Sequence, residues 1–80
     1  MQIKILAFGV AKDIIGDREM TFSVPEGATV EVLKKTLNEQ FPEFEKLASM
    51  AVAVNGGYAE DEAAIHTDDE VVLIPPVSGG

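Results

Sequence analysis

The fold is decided by a stretch at residues 2–8, which reads QIKILAF. Its side chains follow the two-residue period of a β-strand. One face of this strand would carry Ile3, Ile5 and Ala7, and the other would carry Leu6 and Phe8. A strand that is apolar on both faces either lies at the centre of a covered sheet or presents one face to a partner.

The same doubly apolar pattern returns at residues 70–75, which read EVVLIP. The first and last strands are therefore candidates for the centre of one sheet. Between them, residues 19–24 alternate with Met20, Phe22 and Val24 inward, which predicts a hairpin with the first strand. We expect the connection at residues 9–16 to be a long, irregular loop with one helical turn at residues 11–15.

A helix is predicted from Thr29, a good N-cap, to about Gln40. Its apolar stripe has helical spacing and consists of Val30, Leu33, Leu37 and Phe41. Pro42 ends this helix, because a residue that precedes proline is disfavoured in the helical region. Phe44, Leu47 and Ala48 suggest a second short helical piece.

A brief strand at residues 51–54 precedes Asn55-Gly56-Gly57, a tight-turn signal. The order of hairpin, helix, strand, turn and strand predicts an α+β fold, with one amphipathic helix laid across a mixed sheet. This arrangement is a β-grasp, or ubiquitin-like, roll. We expect the roll to span residues 1–75 and residues 76–80 to form an extended tail.

Composition restricts the function. The 80 residues include 14 acidic and 6 basic side chains, a net charge of -8, which disfavours nucleic acid and membrane surfaces as partners. Cysteine is absent, so disulfides, thiolate metal sites and cysteine nucleophiles are excluded, and His66 is the only imidazole. No metal site is predicted. No apolar run approaches membrane-spanning length, and the expected location is the cytoplasm.

The end of the sequence is the best candidate for chemistry. Pro75 and Pro76 stiffen the exit from the last strand, and the residues from Pro76 onward could reach roughly 15 Å. Gly79 and Gly80 have no Cβ, so the tip can enter a narrow channel and present a bare carboxylate.

Several segments carry a family resemblance, namely IKILAF at 3–8, Lys12-Asp13, AVN at 53–55 and above all DEVVLIPPVSGG at 69–80. With them the chain resembles the small, sulfur-carrying subunit of molybdopterin synthase, within the ubiquitin-like sulfur-carrier group. One departure is that Asp68-Asp69-Glu70 lacks the glycine common in the family's turn.

The resemblance implies that the carboxylate of Gly80 is adenylated by an activating enzyme with ATP and then becomes a thiocarboxylate. The tail, which consists of Pro76, Val77, Ser78, Gly79 and Gly80, would insert into the large synthase subunit. There the sulfur would pass to a cyclic pyranopterin precursor. The chain would then be a co-substrate and not an enzyme on its own, with no bound cofactor.

Partner binding is expected at the apolar face that the helix does not cover. In the last strand, either Val72 and Ile74 or Val71 and Leu73 would extend this face. The predicted partner-binding residues are Leu6, Phe8, Lys12, Ile74 and Pro75. The acidic surface would favour a basic groove on the partner. The competing interpretation is that the second helical piece covers this face.

Other functions share the Gly-Gly tail. The chain could be a sulfur carrier for thiamine synthesis or transfer-RNA thiolation. It could be a protein modifier that forms an isopeptide bond through Gly80, or a binding module with an idle tail.

Overall fold

One mixed five-stranded sheet organises the computed structural model, which describes residues 1–46 and 50–75. The strands are β1 (Gln2–Ala7), β2 (Glu19–Ser23), β3 (Ala51–Val54), β4 (Gly57–Ala59) and β5 (Glu70–Ile74). Their order across the sheet is β2-β1-β5-β3-β4. β1 and β5 pair in parallel, and the other neighbours are antiparallel. The prediction that the first and last strands lie inside the sheet is confirmed.

Helix α2 (Val30–Gln40) crosses one face of this sheet, as the apolar stripe predicted. The hydroxyl of Thr29 caps it by accepting a hydrogen bond from the backbone N–H of Val32 at 3.4 Å. The helix ends at Phe41, immediately before Pro42. In the described ranges, no helix is both long enough and apolar enough to cross a bilayer.

The core lies between α2 and the inward face of the sheet. Ile5, Leu33, Leu37, Val71 and Leu73 have no solvent exposure, and they form one buried cluster. Burial of side chains of this size contributes about 1.5–3 kcal/mol each to folding. The alternation of inward and outward residues in β1 is as predicted.

The connection between β1 and β2 differs from the prediction of an irregular loop. It contains helix α1 (Gly9–Ile15), which is longer than the single predicted turn. Ala11 is fully buried in the core, and this packing stabilises a helix whose short sequence gave little signal. Gly16 ends α1 in the left-handed conformation, with φ of 89° and its N–H bonded to the carbonyl of Lys12 at 2.8 Å.

The second helical piece is a 3-10 helix at Pro42–Lys46. Phe44 is buried and packs edge-on against Phe41, with ring centroids 6.1 Å apart. The helical prediction is correct at Phe44, whereas Leu47 and Ala48 lie outside the described residues.

The strand β4 was not predicted, because three residues that begin with glycine show no alternation. It forms because Asn55 and Gly56, with φ of 53° and 86°, make the tight turn that folds it back on β3.

A hydrogen-bond network joins this turn to the start of β5. The side-chain amide of Asn55 donates to Asp69 at 2.9 Å, and the backbone N–H of His66 donates to the same carboxylate at 2.8 Å. The side-chain carbonyl of Asn55 accepts from the N–H of Glu70 at 2.9 Å. The turn therefore fixes where β5 begins.

The network makes stability depend on pH. The hydrogen bond from Asn55, followed by that from the His66 backbone, lowers the pKa of Asp69 below the usual aspartate value. A carboxyl with a lowered pKa stabilises the fold above its unfolded-state pKa of about 3.9, and the effect is lost as pH falls through the lower folded-state pKa. We expect Asp69→Asn to be less stable than the wild type at pH 7, and this difference to shrink below about pH 4.

Urea unfolding between pH 7 and pH 2.5 measures this difference. Asp68→Asn is the control, because Asp68 is exposed and its substitution removes the same charge one residue away. A destabilisation by Asp69→Asn that stays constant down to pH 2.5 contradicts the assignment.

The two faces of β1 also differ in their contribution to folding. Ile5 is fully buried, whereas its neighbour Leu6 points to the other face and is half-buried. We expect Ile5→Ala to lower the free energy of unfolding by about 2–5 kcal/mol, and Leu6→Ala to cost less than about 1.5 kcal/mol. Urea denaturation of both variants tests this, and equal losses would show that the outer face is also a stabilising core.

Candidate functional site

A row of paired residues crosses the sheet on the face opposite α2. The register aligns Glu19 with Leu6, Leu6 with Val72, Val72 with Ala53, and Ala53 with Tyr58, so each strand contributes one residue. The middle of this row is apolar. Because residues that face each other across strands contact one another, the row is a continuous surface.

The next positions along β1 and β5 extend this surface. Ile74 pairs with Ala51 on β3, and Phe8 follows directly after β1. Phe8 is 49% exposed and Tyr58 is 77% exposed, while the others are half-buried. We call this surface the open face and define it as Leu6, Phe8, Tyr58, Val72 and Ile74.

The 3-10 helix does not cover the open face. The buried residue of the 3-10 helix, Phe44, packs into the core on the other side of the sheet, as do Ala11 of α1 and Leu37 of α2. The competing prediction, in which the second helical piece closes this face, is wrong for the described part of that piece. An apolar surface that no described element covers is typical of a protein interface.

The chain leaves the sheet at one end of the open face. Because β1 and β5 are parallel, with Ala7 opposite Leu73, both strands finish at the same edge of the sheet. Phe8 therefore lies at the edge where Ile74 and Pro75 lead towards residue 76. The predicted tail residues Pro76, Val77, Ser78, Gly79 and Gly80 lie outside the described residues, and their role stays a prediction.

Lys12 lies near the same edge. Its backbone N–H approaches the carbonyl of Phe8 at 3.4 Å, which places it one helical turn beyond Phe8, and its side chain is exposed. The structure thus brings the five predicted partner-binding residues to one end of the sheet. They are Leu6, Phe8, Lys12, Ile74 and Pro75.

Charged residues border the open face on the side away from Pro75. The ammonium of Lys4 lies 3.6 Å from the carboxylate of Glu19, and Lys4 pairs in register with Glu70. This rim carries more acidic than basic charge, in keeping with the predicted preference for a basic partner.

Tyr58 is the residue of this site that the sequence pattern did not indicate. It belongs to β4, and without that strand nothing indicated that it shares a face with Leu6. The available signal was the Asn55-Gly56 turn, since a two-residue turn places Tyr58 opposite Ala53.

The rest of the described chain offers no reaction centre. No three acidic or histidine side chains converge there to hold a metal ion. An open groove of about 420 Å³ beside α2 is lined by Lys35, Asn38, Glu39 and Glu45, which include no nucleophilic hydroxyl and no histidine. Within residues 1–46 and 50–75, the candidate site is therefore the open face beside Pro75, where the described chain leaves the sheet.

Comparisons with known proteins agree with this geometry. The ThiS family profile matches residues 5–80. The molybdopterin synthase sulfur carrier subunit of Arabidopsis thaliana is 36% identical over 81 residues, which cover 100% of this chain and 84% of that protein. SAMP1 from Haloferax volcanii has the same fold, with a TM-score of 0.82, 27% identity and full coverage of both chains.

A further structural neighbour occurs in a complex. It is a chain from the assembly of subunits 1 and 2 of the molybdopterin-converting factor of Helicobacter pylori. Its TM-score is 0.67 with 23% identity, and the match covers both chains completely, which establishes the likeness of fold.

The predicted family and the β-grasp fold are both confirmed by these matches. The profile covers nearly the whole chain, and the similarity to the plant protein extends along the full length of this chain. The chain belongs to the ThiS family of ubiquitin-like β-grasp proteins.

Proposed function

We propose that this chain is the sulfur carrier subunit of a molybdopterin synthase. The observation that carries the proposal is that the open face lies at the edge of the sheet where the chain leaves β5 at Pro75, immediately before the sequence that ends in Gly-Gly. The similarity to a plant sulfur carrier subunit along the whole chain supports it.

The chemistry takes place at the carboxylate of Gly80. In the activating enzyme, a carboxylate oxygen attacks the α-phosphate of ATP and pyrophosphate leaves, which gives an acyl-adenylate. Hydrosulfide supplied by a donor then attacks the acyl carbon and displaces AMP, and the product is a thiocarboxylate. ATP is thus a substrate of the activating enzyme, and the carrier itself binds no cofactor.

The large synthase subunit receives the thiocarboxylated tail. The thiocarboxylate sulfur forms a bond to a carbon of a cyclic pyranopterin precursor and displaces an oxygen substituent there. Water then cleaves the acyl C–S bond, so that the sulfur stays on the precursor and the tail leaves as a carboxylate. A dithiolene contains two sulfur atoms, so each product molecule consumes two thiocarboxylated tails. The carrier contributes the tail and the docking surface, and the catalytic side chains belong to the partner.

The composition supports this division of labour. Without cysteine, no side chain of this protein can carry sulfur as a persulfide, which leaves the C-terminal carboxylate. The inserted part of the tail would occupy a channel of the partner with Pro76, Val77, Ser78 and Gly79. We place the reaction in the cytoplasm, with proteins as the only macromolecular partners.

Docking is assigned to the open face. It offers apolar side chains beside the tail exit, and a partner that covers it would remove Phe8 and Tyr58 from water. Both the activating enzyme and the large subunit must hold the same tail, and we expect both to use this face in turn.

A second candidate function is protein modification. SAMP1 of Haloferax volcanii has the same fold at 27% identity, and a Methanosarcina acetivorans protein of this fold is called small archaeal modifier protein 1. The same acyl-adenylate could be attacked by a lysine amine in place of sulfur, which would give an isopeptide bond. Denaturing gels of cell extract separate the two functions, because only a modifier leaves covalent products of high mass.

The sulfur-carrier role is tested by intact-mass analysis of the full chain after incubation with ATP, an activating enzyme and a sulfide source. We expect a shift that corresponds to the exchange of one oxygen for sulfur, located at Gly80 by fragmentation. The control lacks ATP. An unchanged mass, under conditions that charge a known carrier, would falsify the proposal.

The docking assignment is tested by Phe8→Asp. Phe8 is half exposed in the free protein, so the fold should persist, whereas a buried charge in an interface should weaken binding to the large subunit by at least about tenfold. Isothermal titration calorimetry measures the affinity, and circular dichroism checks the fold.

Gln40→Glu is the matched control, because it adds the same charge at an exposed position on the helix side of the sheet. Equal losses in the two variants would mean that net charge, and not the open face, determines binding. An unchanged affinity of Phe8→Asp for both partners contradicts the assignment.

A further inference from the structure

Gly9 occupies the position where β1 turns into α1. Its φ is +57°, in the left-handed region that glycine adopts without strain. The preceding residue, Phe8, is still extended, with φ of -130° and ψ of 160°. The change of direction at Gly9 therefore brings the first turn of α1 alongside the end of β5.

The ring of Pro75 lies against this glycine. A Cβ atom placed on Gly9 would lie 3.5 Å from the Cγ atom of Pro75, which is an ordinary van der Waals distance. A methyl group fits in this space. A longer side chain would have to share it with the proline ring.

Pro75 links this contact to the direction in which the backbone leaves the sheet. Its ring restricts its own φ, and the following Pro76 restricts its ψ to extended values. With both torsions restricted, the position of the ring sets the direction in which the backbone leaves Pro75.

We propose that Gly9 is a positioning residue for the reaction of the tail. Because Gly9 has no side chain, the Pro75 ring can pack beside it, and this packing orients the backbone that leaves Pro75. We call this packing surface on Gly9 the seat. This inference rests on the proposed function and adds to it a residue that acts through Pro75. A docked carrier delivers Gly80 to the activating enzyme only if the chain leaves the sheet in the right direction. Small displacements of a reacting group are costly in rate.

Two substitutions at Gly9 separate the seat from the backbone conformation. Gly9→Ala strains the backbone, because alanine disfavours positive φ, but adds no atom beyond Cβ. Gly9→Asn strains the backbone less, because asparagine tolerates positive φ, but adds atoms beside the Pro75 ring. A seat predicts that asparagine is the more harmful substitution for tail chemistry, and a backbone role alone predicts that alanine is.

The measurement is ATP–pyrophosphate exchange by the activating enzyme, with the full chain as the varied substrate. For Gly9→Asn we expect kcat to fall roughly tenfold, with KM within about twofold of the wild type, since docking through the open face is intact. For Gly9→Ala we expect kcat within about twofold of the wild type. Urea unfolding midpoints of both variants accompany the assay.

The variant Pro75→Ala completes a double-mutant cycle. With the ring removed, Gly9→Asn should cause little further loss of kcat. Full, independent loss in the double variant overturns the proposal, as does wild-type kcat in Gly9→Asn. A loss of kcat that follows the unfolding midpoints in both Gly9 variants overturns it as well.

A second measurement does not depend on the proposed function. Nuclear Overhauser contacts between the α-protons of Gly9 and the γ-protons of Pro75 should be present in the wild type, retained in Gly9→Ala and lost in Gly9→Asn. Their absence in the wild type overturns the seat. If the wild type shows the contacts but is never adenylated, the proposed function fails, while the seat itself stands.

Discussion

The parallel pairing of β1 with β5 is the constraint on which the rest of the structure depends. A parallel pair cannot be closed by a tight turn, so the chain must travel between the two strands over a long crossover. That crossover contains α2 and carries the apolar stripe of Val30, Leu33 and Leu37 onto the sheet. The same pairing makes both strands end at one edge, so the exit of the tail and the exposed Phe8 lie together.

The pairing also explains why two central strands are apolar on both faces. The inward residues Ile5 and Val71 make the core, and the outward pair Leu6 and Val72 makes the middle of the open face. Folding and binding therefore use different side chains of the same two strands. A domain of this size has one core at most, and the second apolar layer is available to a partner.

Much of the fold could be predicted from local patterns. The alternation in β1 and the capped stripe of α2 are long enough to be read from the sequence, and the tight turn at Asn55-Gly56 is specific. Helix α1 could not be predicted in full, because the buried Ala11 that stabilises it acquires its neighbours only in the folded protein. The strand β4 has too few residues to show a period.

The site follows the same rule. Phe8 could be assigned to the face of Leu6 from its phase relative to β1. The register of β1 with β5 was needed to choose between the two apolar faces of β5, and two further strand pairs were needed for Tyr58. The contact between Gly9 and Pro75 joins residues that are distant in sequence, and no local pattern predicts it. Local patterns predict elements, and the register determines which side chains meet.

The open face has a consequence for the behaviour of the protein in concentrated solution. Two copies that meet with their open faces together would bury apolar area, as any exposed patch tends to do. Each copy, however, carries a net charge of -8, and bringing two such surfaces together is opposed by their mutual repulsion. The acidic surface thus provides colloidal stability for a protein with an uncovered apolar layer. Screening salt weakens that protection, whereas a basic partner turns the same charge into attraction.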